Sequence, residues 1–184
     1  SGGLDTSVAV AWLREQHDAE VVTLTVDVGG TSLREGVQRR AMSAGASRAY
    51  VVDAKETFVR DFCWPALQAN AVYQGAYPLA TALARPLIAQ LLVEVAQREG
   101  AEAVAHGCTG KGNDQVRFDV AVHALDPGLK VIAPMRVGMG LTRDQEIDYA
   151  AERGIEIPIT KSSPYSIDVN LWGRSCETGI LEDP

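Results

Sequence analysis

Residues 1–27 read "SGGLDTSVAVAWLREQHDAEVVTLTVD", a loop, a helix and a strand in succession. Gly2 and Gly3 let the backbone turn sharply and come close to a ligand. Ser1, Thr6 and Ser7 add hydroxyl donors, and Asp5 is the one acid among them. Residues 6–17 place Val8, Ala9, Ala11, Trp12 and Leu13 near helical spacing, and the β-branched "EVVTLTV" (residues 20–26) reads as a strand. A helix that opens on such a loop presents unpaired N–H groups and a partial positive charge to whatever lies there. That is anion-binding chemistry. Asp5 repels an anion on its own, so it is expected as an N-terminal cap or as a contact for Mg²⁺. The plainer alternative is a helix start with a flexible end.

The alternation continues outward. Residues 32–44 are helical, with Gly45 as the stop, and "RAYVVD" (residues 48–53) is a second strand. Residues 58–69 are helical with a kink expected at Pro65. Residues 79–98 form the longest helical stretch, ending at Gly100, with Pro86 dividing its start. "AEAVAHG" (residues 101–107) and "LKVIAP" (residues 129–134) are strands around a helix at 115–125. A helix at 142–153 and a short strand "IEIPIT" (residues 155–160) follow, then an irregular tail after Lys161. The pattern predicts an α/β fold, a doubly wound parallel sheet with helices on both faces. No repeat, low-complexity run or linker interrupts it before about residue 160. Ligands of such sheets sit beyond the carboxyl ends of the strands. Two unusual loops fall there, residues 1–7 and 107–114.

Composition sets outer limits. A chain of 184 residues with 46% hydrophobic and 22% charged residues suits one well-packed domain and argues against disorder. The formal charge is −7, and the only basic pair that stands out, Arg39-Arg40, is expected on the solvated side of a helix. That argues against a nucleic-acid partner. No apolar run approaches the roughly 20 residues that cross a bilayer, and no signal-peptide pattern is present. Cys63, Cys108 and Cys176 are odd in number and far apart, without a CxxC. They suit free thiols in a reducing cytoplasm better than disulfides or zinc.

The second loop, "HGCTGKGND" (residues 106–114), follows a strand and precedes a helix. Ala105 stands where a Walker A loop needs Gly, and Gly112 where it needs Ser or Thr. The spacing of Gly107, Gly110 and Gly112 also fails the dinucleotide fingerprint. The alternative to a ligand loop is a mobile surface turn. Against that stands its number of side chains suited to ligands.

These stretches resemble a known family. "SGGLDTS" is similar to the pyrophosphate loop of the N-type ATP pyrophosphatases, which include GMP, NAD and asparagine synthetases and tRNA-thiolating enzymes. "YPLATALARP" (residues 77–86), "AHGCTGKGNDQVRF" (105–118), "KVIAPMR" (130–136) and "SPYSIDVNLWGRSCETGILEDP" (163–184) look like argininosuccinate synthase, in order and through nearly the whole chain.

The resemblance implies a cytoplasmic ligase of arginine biosynthesis, homotetrameric at full length, with ATP and Mg²⁺, citrulline and aspartate as its small-molecule partners. It implies attack of the citrulline ureido oxygen on the α-phosphorus, giving citrullyl-AMP and pyrophosphate, then displacement of AMP by the aspartate amine. By the same resemblance, Ser1, Gly2, Gly3, Leu4, Asp5, Thr6 and Ser7 hold pyrophosphate, with Asp5 a contact for Mg²⁺. The Val26 backbone meets adenine. Ala105, His106, Gly107, Cys108, Thr109, Gly110, Lys111, Gly112 and Asn113 line the nucleotide. Thr109, Asn113 and Asp114 match aspartate-binding positions, and Tyr77, Asn113, Arg117, Ser166 and Ser175 match citrulline-binding ones. The chemistry is apt: Arg117 offers a planar fork to a carboxylate and Asp114 can accept from an ammonium.

Each residue also has a plainer reading. Arg117 could pair with Asp114 on one helix face, Tyr77 could be core, and Ser166 and Ser175 could be ordinary loop serines. Cys108 is read as packing, since the chemistry needs no thiolate. His17, His106 and His123 are read as structural, and Trp12 and Trp64 as core. Two positions depart from the family: Ala82 replaces a Ser found in some members, and Gly29-Gly30 replaces Gly-Gln. The resemblance divides the chain into a nucleotide-binding domain (1–160) and the start of a connection to a synthetase domain (161–184). It also implies a buried strand ahead of Ser1, a second domain beyond the last residue, and no turnover by these residues alone. Two alternatives stay open: an N-type pyrophosphatase with another substrate, and a non-catalytic nucleotide-binding module.

Overall fold

The computed structural model describes residues 3–30, 36–110, 112–157 and 166–177. Helix α1 (Leu4–His17) starts two residues earlier than the apolar spacing suggests, with Gly3 as an extended N-cap. Strand β1 (Val22–Asp27) pairs in parallel with β2 (Arg48–Asp53), Val26 opposite Val52. Between them runs α2 (Val37–Ser43), and Gly45 follows at φ +100°. Arg39 is exposed and pairs with Glu156 at 3.2 Å, but Arg40 is buried, against the expectation for that pair.

The helix expected at 58–69 begins earlier and has no simple proline kink. It runs through α3 (Lys55–Phe58), a π-helical turn (Val59–Cys63) and α4 (Trp64–Gln68). The wider π turn, in which Trp64 N–H donates to the Val59 carbonyl, ends just before Pro65 and gives the ring room that a regular α turn lacks. Trp64 is exposed, contrary to the core reading, whereas Trp12 packs against the core around α1.

Helix α5 (Ala84–Glu99) is one piece, because Pro86 also lies in its first turn; Gly100 closes it at φ +65°. Strand β3 (Ala103–Ala105) pairs in parallel with β4 (Lys130–Ile132), with α6 (Asp114–Leu125) between them. A short helix α7 (Pro134–Val137), absent from the sequence expectation, leads to α8 (Arg143–Glu152). Thr142 and Gln145 cap α8 reciprocally. Residues 155–157 carry no strand, and the rest of "IEIPIT" lies outside the described residues.

Strands β1 to β4 thus form two parallel pairs, each with its crossover helix, and α5 packs on both β1 and β3. Helix α1 packs on α2, α7 and α8. Glu15 of α1 takes the Arg153 guanidinium in two contacts, at 2.7 and 3.1 Å. The edges of β1 and β3 do not pair. A cleft of about 770 Å³ separates them, walled by Val10 and Leu13 of α1 and by Leu92 and Val95 of α5. A strand laid there parallel to both would make one continuous sheet.

The tail, expected to be irregular after Lys161, carries regular structure. Residues 166–177 form an antiparallel hairpin, β5 (Ser166–Val169) with β6 (Arg174–Glu177). It folds back onto the carboxyl end of β1: Leu171 N–H donates to the Val28 carbonyl at 3.0 Å. Asn170 Nδ2 and Trp172 Nε1 donate to the carbonyls of Ala80 and Pro78, both at 2.6 Å. The close approach needs Gly29 and Gly30, at φ +80° and +105°. A Cβ on Gly30 would stand 2.7 Å from the Val169 carbonyl carbon, while one on Gly29 would meet only the movable end of Leu171. Gly30→Ala combines left-handed strain with a backbone clash and is expected to lower Tm by roughly 4–8 °C. Calorimetry checks this, and an unchanged Tm would contradict the docking.

Candidate functional site

The carboxyl ends of the strands carry two polar regions joined by one loop. The first is the start of α1, where Leu4, Asp5, Thr6 and Ser7 form the opening helical turn and Ser1 and Gly2 lie outside the described residues. The Ser7 hydroxyl is buried and donates to the Gly3 carbonyl at 2.8 Å; Thr6 Oγ1 donates to it at 3.3 Å. The helix opens toward this end with its first N–H groups uncapped by any side chain.

Asp5 does not serve as the cap. It faces Glu146 of α8, whose carboxyl hydrogen-bonds it. Glu146 is 2% exposed, and its Oε1 is buried without a partner among the described residues. Burial first, and then the Asp5 carboxylate, hold Glu146 well above the usual carboxylate range, with Arg143 as the opposing charge. Two carboxyls in hydrogen-bond contact need a proton or a cation between them. Sequence reading missed Glu146, because an acid in a polar helix gives no signal of its partner.

The loop after β3 is the connection. Gly107 lies against the first region: a Cβ there would stand 3.2 Å from Thr6 Cγ2. His106 is buried, stacked on Phe118 with ring centroids 5.3 Å apart. Its Nδ1 accepts from Cys108 N–H at 3.3 Å, which leaves Nε2 to donate to Asp119 at 3.0 Å. Arg136 Nη1 donates to Asp119 at 2.7 Å and to Gln115 at 3.0 Å, and Gln115 Nε2 donates to the Gly110 carbonyl at 2.8 Å. Burial works to raise the Asp119 carboxyl, but the Arg136 and His106 hydrogen bonds outweigh it and hold it low. These contacts fix the loop from both ends. Cys108 packs on the α5–α6 core, and burial pushes its thiol up to about 11, so it is no nucleophile at neutral pH. Lys111 lies outside the described residues.

The second region begins where the loop enters α6. Asn113 is the N-cap and its side chain makes no capping bond. Arg117 Nη1 donates to Asp114 Oδ1 at 2.8 Å, so the plain pairing of these two is present. Asp114 Oδ2 accepts from Arg85 Nε at 2.8 Å, and Arg85 Nη2 reaches Asp168 of β5 at 2.8 Å. Ser175 stands opposite Asp168 in register, hence on the same face, and its Oγ is buried without a partner among the described residues. An orphaned hydroxyl is a group poised for a ligand. Ser166 belongs to the same hairpin. Tyr77 is exposed, which removes the core reading, and its hydroxyl contacts Thr81 Oγ1 at 3.2 Å. The bonds from Asn170 and Trp172 to Ala80 and Pro78 tie its turn to the hairpin. Leu79 in that turn holds φ +61°, a strained value for a branched side chain. Val26 lies one residue before the end of β1 and two before the hairpin's anchor at Val28.

The sequence model "Arginosuccinate synthase N-terminal HUP domain" matches residues 1–156. The chain belongs to the argininosuccinate synthase family. An argininosuccinate synthase of Symbiobacterium thermophilum is 59% identical over all of this chain and 46% of its own length. Those of Brevibacillus brevis and Dehalococcoides mccartyi are 57% and 55% identical, with 44% and 45% of their lengths covered. The chain thus spans about half the length of these curated relatives. A solved NAD+ synthetase from Burkholderia pseudomallei superposes at TM-score 0.49 with 22% identity, over 89% of this chain and 67% of that one. Gly29 and Gly30 lie where the 166–177 hairpin closes on the end of β1. Ala82 precedes α5 and offers only its backbone to a ligand. No described helix is long and apolar enough to cross a membrane.

Proposed function

We propose that the full-length protein ligates citrulline to aspartate at the expense of ATP, as an argininosuccinate synthase. One observation carries this reading: the stretch after β3 meets the uncapped start of α1 through Gly107 and Thr6 and leads to the Arg117–Asp114 pair, which Arg85 ties to Asp168 opposite the orphaned Ser175 hydroxyl. An anion site and an amino-acid site thereby share one wall. The N–H groups at the start of α1 and in the 105–113 loop hold the β- and γ-phosphates, which are the leaving group. Val26 lies against adenine. Arg117 takes the citrulline carboxylate, with Tyr77, Asn113, Ser166 and Ser175 around it. Asp114, Thr109 and Asn113 receive aspartate. The ureido oxygen bonds to the α-phosphorus as the bond to pyrophosphate breaks. The aspartate amine then bonds to the ureido carbon, the C–O bond to AMP breaks, and the amine proton goes to solvent. Positioning and charge neutralisation carry such transfers, so no protein nucleophile is needed.

Mg²⁺ fits the start of α1. Asp5 is a hard oxygen donor, and the orphaned Glu146 oxygen beside it calls for positive charge. No described group of three or more His, Cys, Asp or Glu side chains is arranged to hold a metal, and Asp5 is the residue that would hold the ion here. When bound, the ion neutralises phosphate charge. A cytoplasmic, tetrameric enzyme is part of this reading. So is a nucleotide-binding unit at 1–160 that continues through 161–184 into a synthetase domain.

The test is exchange of labelled pyrophosphate into ATP by the full-length protein. Exchange is expected with citrulline and without aspartate. Exchange driven instead by xanthylate, deamido-NAD or tRNA would place the protein with another N-type pyrophosphatase. ATP binding with no response to citrulline or aspartate would make it a nucleotide-binding module.

A further inference from the structure

Arg85 was not singled out by its sequence, yet it joins three elements. It lies in the first turn of α5, its Nε bonds Asp114 at the start of α6 and its Nη2 bonds Asp168 on β5, both at 2.8 Å. Its side chain is only 20% exposed. We infer that Arg85 is a positioning residue that locks Asp114 and the 166–177 hairpin into one substrate-binding unit. This inference rests on the ligase reading above.

The argument is one of geometry and charge. Asp114 and Asp168 meet the same guanidinium, so without it the two carboxylates would face each other with only the Arg117 charge, on Asp114, left beside them. A planar fork with donors on two edges can serve both at once; an ammonium on a flexible stem fixes neither orientation. Asp114 uses its two oxygens differently. Oδ1 takes Arg117, and Oδ2 takes Arg85. If Arg117 turns to a substrate carboxylate, Oδ1 is released to accept an ammonium while Arg85 still holds Oδ2. Asp168 lies opposite Ser175, so the same guanidinium also sets the face that carries the orphaned Ser175 hydroxyl. Arg85 therefore acts on both amino-acid subsites without touching either substrate.

The experiment uses the full-length protein with Arg85→Met and Arg85→Lys. Arg85→Met is expected to raise KM for both citrulline and aspartate by roughly 10- to 100-fold, the size of a lost charged hydrogen bond, with KM for ATP within about twofold of wild type. Arg85→Lys is expected to recover one of the two KM values and not both. A merely structural role would raise KM for ATP in parallel, and that result, or unchanged amino-acid KM values, would overturn the inference. If Arg85→Met does not fold, the split between the two KM values in Arg85→Lys decides. Hydrogen exchange separates failure here from failure of the ligase reading. Amides of 166–177 should exchange about tenfold faster in Arg85→Met or Arg85→Lys even if wild type shows no citrulline dependence. Unchanged exchange there would overturn the lock itself.

Discussion

Asp114→Ala is expected to raise the aspartate requirement roughly 10- to 100-fold while citrulline-dependent pyrophosphate exchange stays within a few-fold of wild type. The size is that of one lost charge-assisted hydrogen bond to an ammonium. The structure gives the expectation a direction on the citrulline side as well. Asp114 Oδ1 holds Arg117 at 2.8 Å, so removing the carboxylate frees that guanidinium for a carboxylate ligand. KM for citrulline should therefore fall or hold, and not rise. Arg117→Ala should do the reverse. It removes the carboxylate fork and raises KM for citrulline by a similar factor, while Arg85 keeps Asp114 in place. Steady-state kinetics with each amino acid varied in turn checks both variants. If both leave the two KM values unchanged, these residues do not hold the substrates.

Stability should fall as pH rises from about 5 to about 8 in buffer free of divalent cations, and Glu146→Gln should flatten that dependence. Glu146 is held up to about 8 in the folded protein, against 4.5 for the ordinary carboxyl, by its burial and then by Asp5. Between those values the folded state binds the extra proton, so the unfolded state gains as protons become scarce. The contribution is fully present below pH 4.5 and is lost as pH climbs through the raised value. The ceiling is ~5 kcal/mol, and water reaching the pair lowers it. A loss of roughly 5–15 °C in Tm across the window is the corresponding scale. The groups that face Glu146 are Asp5 from α1 and Arg143 one turn earlier on α8. Glutamine keeps a donor for Asp5 and has no proton to lose. Equal slopes for wild type and Glu146→Gln would refute the shared-proton geometry.

How much of this was legible beforehand depends on range. Strand β2 matches its predicted bounds, Arg48–Asp53, because β-branched runs carry a local signal. Helices α1, α5, α6 and α8 were placed within a few residues at one end or the other. The hairpin was invisible because its strands are short and polar, and its support comes from Val28, Pro78 and Ala80. The π turn before Pro65 has no periodic signature, since its extra residue only shifts the face of the helix. Within the candidate site, the glycine-rich loops and the Asp114–Arg117 spacing were readable. Arg85 and Glu146 were not: Arg85 finds Asp168 across 83 residues, and Glu146 finds Asp5 from a distant part of the chain. Buried charge is stabilised by partners that chain folding brings together, and a linear pattern does not record them.

The most direct measurement follows one oxygen atom. Full-length protein is given ATP, aspartate and citrulline carrying ¹⁸O at the ureido position. On the proposed reading, attack of the ureido oxygen on the α-phosphorus delivers that label to the phosphate of AMP. Label in AMP and none in pyrophosphate is the predicted result. Unlabelled AMP, with argininosuccinate still formed, or label in pyrophosphate, would contradict the account.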